Sequence, residues 1–193
     1  MTDTERQMKK YLKRIGVGLI LLICAILIWR CCLVADKSRY ADLSPTDGLK
    51  AAYSSDGTDV FTVKIAAEMS DSGRFSAYGF YYIPDAGEVQ LALRWNDSTY
   101  KNMAAEPGTD LTFVLKNETS GEQFDVSFSE SYHSTFYNYR RAVVKGISIS
   151  DTDEIKLYLM HGDGTEADSM YIKHAEQSLE KYTIPNNILK ELQ

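Results

Sequence analysis

The chain has 193 residues, 21 Lys+Arg against 27 Asp+Glu and a net charge of −6, with only three cysteines. Residues 36–193 alone carry 15 Lys+Arg and 25 Asp+Glu, a net charge of −10. That balance excludes nucleic acid and anionic surfaces as partners of this region, because the phosphate attraction that drives such binding is replaced by repulsion.

The N-terminal residues 1–14 contain Arg6, Lys9, Lys10, Lys13 and Arg14, a basic tail. Ile15 to Trp29 is then an unbroken apolar run, about 22 Å long as a helix and too short to cross a hydrocarbon core of about 30 Å. Extending it through Arg30 to Ala35 brings it to about 31 Å. Arg30 then lies about 8 Å from the far end, within snorkelling reach of the headgroups, with Trp29 beside it as an interfacial anchor. The span is predicted as residues 15–35. The basic residues before it place the N-terminus in the cytoplasm and the rest of the chain outside, as a single-pass signal anchor in the cell membrane. A cleaved signal peptide is the rival reading, with a cut after Leu33-Val34-Ala35; Leu33 is a poor residue three places before such a cut.

Cys24, Cys31 and Cys32 all belong to the span region. The external region has no disulfide of its own and must be stabilised by a core. Cys31 and Cys32 either fill the helix as small apolar residues or bridge to another chain at the membrane edge.

Residues 36–58 are polar and hold Pro45, Gly48 and Gly57, which reads as a tether. Residues 59–173 change texture. Short runs rich in Val, Ile, Phe, Tyr and Thr alternate with Gly, Asp, Asn and Ser breaks. Strands are predicted over Val60–Met69, Phe75–Ile83, Glu88–Trp95, Leu111–Lys116, Gln123–Phe128, Phe136–Ile149 (bending near Gly146), Ile155–Met160 and Ser169–Lys173. In the second of these, Phe75, Ala77, Gly79, Tyr81 and Ile83 are expected on one face. No helical period separates the strands, so the expected fold is mainly β, an antiparallel β-sandwich of immunoglobulin-like architecture. Residues 174–193 return to helical texture, with Ile184, Ile188, Leu189 and Leu192 on one face and Pro185 able to start a short C-terminal helix.

Chemistry-bearing patterns are few. No nucleophile elbow, zinc-protease motif or phosphate loop is present, and no cysteine lies outside the span. His133, His161 and His174 lack metal-ligand spacing. The acidic turns at Asp151–Glu154 and Asp163–Asp168 offer oxygens for calcium, yet neither matches the twelve-residue loop, and the same residues form ordinary turns. No catalytic residue, metal or cofactor is therefore assigned. Scattered carboxylate pairs leave a hydrolase as a minor alternative. Asn96-Asp97-Ser98 and Asn117-Glu118-Thr119 match the N-glycosylation pattern.

The most distinctive stretch is 132–141. Tyr132, Phe136, Tyr137, Tyr139, Arg140 and Arg141 are residue types enriched at binding hot spots, and they are the candidate interaction surface. The expected role is non-catalytic: a protein-interaction or accessory component of a surface assembly. The alternative is a glycan or cell-wall polymer module that stacks sugars on exposed tyrosines.

Overall fold

The computed structural model describes residues 3–41, 49–50, 59–96, 111–133 and 137–184, with the backbone alone at 3–6, 32–41 and 130–133. The chain divides into two compact units, residues 1–39 and 40–193.

The first unit is one helix, α1 (Asp3–Ala41), of 39 residues, about 58 Å long. It begins well before the predicted span because Glu5 to Lys13 are mostly strong helix formers with no Gly or Pro. Gln7–Cys31 is long and apolar enough to cross a membrane, and none of it is buried in the protein. Ile15, Leu21 and Ile28 are about two-thirds exposed. A helix in the core of a soluble protein hides an apolar stripe; this one hides none. Trp29 is likewise exposed, and it and Arg30 lie in the last turns of the apolar segment.

Among the described residues the second unit holds ten strands: β1 (Phe61–Val63), β2 (Phe75–Ile83), β3 (Glu88–Asn96), β4 (Thr112–Asn117), β5 (Gln123–Asp125), β6 (Ser127–His133), β7 (Tyr137–Lys145), β8 (Ile155–Met160), β9 (Glu166–Lys173) and β10 (Glu180–Lys181). They form two antiparallel sheets, one in the order β10-β1-β2-β3-β7-β6 and the other β5-β4-β8-β9. Six strands plus four is not the four-plus-three arrangement of immunoglobulin constant domains. One core joins the sheets: Phe75, Leu91, Leu93 and Val144 from the first pack with Leu115, Leu157, Met170 and Ile172 from the second. Phe113 sits at the junction, its ring edge-on to Phe75 at 5.2 Å and tilted against Trp95 at 5.9 Å.

Four details depart from the sequence expectation. Pairing of β2 with β3 shifts between Tyr78 and Tyr81, where Gly79 adopts a left-handed φ of 57°. The bulge adds one residue and inverts the alternation. Phe75 and Ala77 therefore share the core with Phe80 and Tyr82, while Tyr81 and Ile83 turn to a separate cluster with Leu49 and Val60. The predicted strand over Val60–Met69 pairs only through Val63. Beyond it the chain leaves β2 and meets β9 instead, Ala66 N–H donating to Ile172 O at 3.0 Å. Gln123–Phe128 is two strands, because the chain passes from the four-stranded sheet to the six-stranded one at Val126.

The C-terminal expectation also changes. Residues 174–184 contain no helix. Glu180 and Lys181 form a strand against β1, and Tyr182 N–H donates to Val60 O at 2.7 Å. The free edge of β1 takes them up, and backbone pairing there prevails over a weak helical period; Tyr182 packs edge-on against Tyr81 at 4.8 Å. Residues 185–193, which carry Pro185, Ile188, Leu189 and Leu192, lie outside the described residues.

Candidate functional site

The stretch 132–141 is split by its own strand. β7 alternates its side chains between the two faces of the sheet. Tyr139 and Arg141 are 0% and 1% exposed; Tyr139 clusters with Tyr78 and Ala92. Both of these members of the expected surface have almost no solvent contact in this structure. Arg140 lies on the opposite face, half-buried, its guanidinium over the rings of Trp95 at 5.6 Å and Phe128 at 5.2 Å. Tyr132 stands in β6 opposite Tyr139, its side chain outside the described set, and Phe136 lies outside the described residues altogether.

Among the described members of the stretch, Tyr137 borders a cavity. A cleft of about 210 Å³ opens where the start of β2, the end of β3 and the start of β7 meet. Met69, Phe75, Trp95 and Tyr137 give it apolar and aromatic walls, and Arg74 and Arg94 give it charge. No Asp, Glu, His or Cys is among its described lining residues. Arg94 is held from three sides. Its Nη2 donates to Ser76 Oγ at 3.3 Å, and its guanidinium lies 5.3 Å from the Tyr78 ring centre and 4.6 Å from that of Tyr137. Such cation–π contacts fix an arginine without neutralising it. Burial raises the Tyr78 hydroxyl above its usual pKa, and the charge of Arg94 works against that rise. Arg74 donates through Nη1 to Ala167 O at 2.9 Å. Among the described residues neither arginine meets a carboxylate.

The rim of the cleft is a pinned turn. Asp168, 4% exposed, accepts from Ser70 Oγ at 2.7 Å and from the backbone N–H groups of Ser72 at 3.0 Å and Ser169 at 2.9 Å. Ser70 Oγ in turn accepts from Arg74 N at 3.0 Å and Phe75 N at 3.1 Å. One buried carboxylate from β9 thereby ties the 70–73 turn to the other sheet and sets the backbone that carries Arg74.

No family model, curated protein or solved structure matches this chain.

The acidic turns have other work. Lys173 is fully buried, and its ammonium donates to the carbonyl oxygens of Asp151 at 2.6 Å, Asp153 at 2.7 Å and His174 at 3.3 Å. A lysine fills the place a cation would take in that turn. Burial lowers its pKa from the ordinary lysine value, and the nearby carboxylates of Asp151, Asp153 and Glu176 limit the drop. Asp163 accepts from the N–H and hydroxyl of Thr165 at 2.9 and 2.7 Å, a turn closure. Among the described residues no cluster of three His, Cys, Asp or Glu side chains converges on a metal position. Asn117 is 2% exposed, and its Oδ1 accepts from Thr119 N and Ser120 N, so its side chain closes a turn rather than standing free for a glycan.

A second polar surface, on the outer side of the four-stranded sheet, is absent from the sequence reading. Tyr158 Oη donates to Glu118 at 2.6 Å and Lys116 Nζ donates to the other Glu118 oxygen at 2.9 Å. Lys156 Nζ lies 5.0 Å from the Tyr158 ring centre and 4.8 Å from that of Tyr171, which stacks on His174 at 4.7 Å. Burial and then the Glu118 contact push the Tyr158 hydroxyl far above the usual tyrosine range. Glu118 is pushed up by its own burial but held below the ordinary value overall by bonds from Tyr158 and Lys116.

Proposed function

We propose that the chain is a single-pass membrane protein that displays an extracytoplasmic β-sandwich as a protein-interaction component of a surface assembly, without catalysis. Its helix is long and apolar enough to span a membrane, and the basic residues before the apolar run orient it with the N-terminus in the cytoplasm. The observation that carries the interaction role is the cleft. In a region of net charge −10, a concavity walled by Phe75, Trp95 and Tyr137 and charged by Arg74 and Arg94 has the aromatic and arginine composition of a binding hot spot. Its described lining offers no carboxylate, imidazole or thiol.

A photo-crosslinking residue at Met69, which is 48% exposed and borders the cleft, tests this in the native membrane. The expected result is one discrete adduct with another protein, reduced at least several-fold by Arg94→Gln. A uniform smear that Arg94→Gln leaves unchanged would contradict it.

The glycan reading attaches to Tyr158, Tyr171 and His174 instead of the tyrosines of 132–141. Lys156 already stands over both tyrosine faces and competes with a stacking sugar, which ranks this reading second.

A further inference from the structure

The cleft beside β2 identifies more than a surface; its chemistry selects a ligand. We propose that it is a carboxylate-recognition site, filled by a single acidic group on an otherwise uncharged or basic segment of a partner protein. This rests on the interaction reading above for the source of the carboxylate, though not for the chemistry of the site.

Three features converge. Arg94 uses one described hydrogen bond, to Ser76 Oγ, and Arg74 one, to Ala167 O; each guanidinium has five N–H donors in a planar fork matched to a carboxylate. Arg94 is clamped between Tyr78 and Tyr137, so little side-chain freedom remains to be lost when the ligand binds. The void of about 210 Å³ is smaller than the roughly 300–1,000 Å³ of pockets for drug-sized molecules. It suits one side chain or one chain terminus against the walls of Met69, Phe75 and Trp95.

Charge decides between an isolated carboxylate and an anionic polymer. The surrounding region carries −10, a field that repels an extended polyanion such as a polyuronate or a polyphosphate. One carboxylate on a neutral or basic peptide meets the two arginines without that penalty. A repulsive surround with an attractive centre discriminates by design against the wrong partner.

The test uses the full chain in non-ionic micelles with Trp29→Phe, which leaves Trp95, a wall of the cleft, as the sole tryptophan. Its fluorescence is titrated with N-acetyl-phenylalanine, with the corresponding amide, with N-acetyl-glutamic acid α-amide, and with glucuronic acid. A site of this size is expected to bind the first with a Kd of about 1 mM, near −4 kcal/mol. The amide should bind at least tenfold more weakly. Arg74→Gln, and separately Arg94→Gln, should each weaken the acid at least fivefold, and Arg94→Lys should restore only part of the loss.

Tighter binding of the glutamic side-chain probe than of the terminal acid would still support the site and name its source. Equal binding of acid and amide overturns the proposal, as does the absence of any response to either up to about 20 mM, far above a 1 mM Kd. Tighter binding of glucuronic acid than of both peptide acids overturns the protein occupant. Arg74 is held by one backbone carbonyl alone, so Arg74→Gln gives a reading even where circular dichroism shows Arg94→Gln misfolded. The two readings separate cleanly. Acid-selective binding without a Met69 crosslink keeps the carboxylate site and removes the interaction role. A Met69 crosslink that neither Arg74→Gln nor free N-acetyl-phenylalanine reduces does the reverse.

Discussion

Phe113→Ala should destabilise the β unit by about 3–5 kcal/mol, the range for truncating a buried aromatic. Phe113 is 5% exposed and touches both sheets: its ring meets Phe75 at 5.2 Å, Trp95 at 5.9 Å and Phe128 at 6.1 Å. Loss of the ring removes transfer free energy and leaves a void between two β-sheets that cannot collapse without breaking strand register. Urea unfolding followed by Trp95 fluorescence in the Trp29→Phe background measures it. With a slope of about 2 kcal/mol/M the midpoint should fall by roughly 1.5–2.5 M. Phe113→Leu, which keeps most of the volume, should lose less than half as much. A midpoint shift below about 0.5 M for Phe113→Ala would mean that the two sheets do not share this core.

Asp168→Ala should cost about 3 kcal/mol, because it removes three hydrogen bonds to a buried, charged acceptor and leaves the hydroxyl of Ser70 and the N–H of Ser72 short of a partner. The effect reaches the cleft. Ser70 Oγ holds the N–H groups of Arg74 and Phe75, so unpinning the 70–73 turn releases the backbone under one arginine and one wall. Asp168→Ala should therefore weaken N-acetyl-phenylalanine binding several-fold at urea concentrations where the protein is still folded. Asp168→Asn keeps one carbonyl acceptor and should recover part of both losses. Unfolding midpoints and Trp95 titrations on the same samples check the two effects. A full loss of stability with unchanged binding would place Arg74 independently of the turn.

The elements easiest to read from sequence were those bounded by hard punctuation. β2 and β8 end at the residues expected, because Gly73, Pro84, Asp153 and Gly164 flank period-two runs. Gly79 was harder. A glycine inside a strand pattern is compatible with both a regular face and a bulge, and only the pairing with β3 shows that the bulge redistributes Tyr81 and Ile83. β10 was illegible because Glu180-Lys181 has no strand propensity of its own; its conformation comes from the free edge of β1.

The site was legible only in part for a related reason. The 132–141 stretch reads as one aromatic and cationic patch, yet a strand divides it between two faces: Tyr137, Tyr139 and Arg141 share one, the last two buried and Tyr137 bordering the cleft, and Arg140 stands on the other. Arg74 and Arg94 are twenty residues apart and are brought together by the β2–β3 hairpin, a juxtaposition that no local motif encodes. Lys173 teaches the same lesson for the acidic turn. Its side-chain carboxylates are what the sequence displays, whereas the structure uses the backbone carbonyls of Asp151 and Asp153 to hold the ammonium of Lys173 from the end of β9.

Whether α1 holds the β unit outside a membrane is read out by cysteine accessibility. Cys24, Cys31 and Cys32 are the only native cysteines; replaced by Ser, they leave a blank background. Single cysteines are then introduced by Glu122→Cys, at an exposed position between β4 and β5, and by Gln7→Cys, at the exposed start of the apolar helix segment. A membrane-impermeant maleimide is applied to intact cells. The expected result is full labelling at 122, none at 7 until the membrane is permeabilised, and both positions in the membrane fraction on a chain of undiminished mass. Labelling at 7 in intact cells, protection at 122, or recovery of the 122 variant as a shortened soluble chain would contradict it.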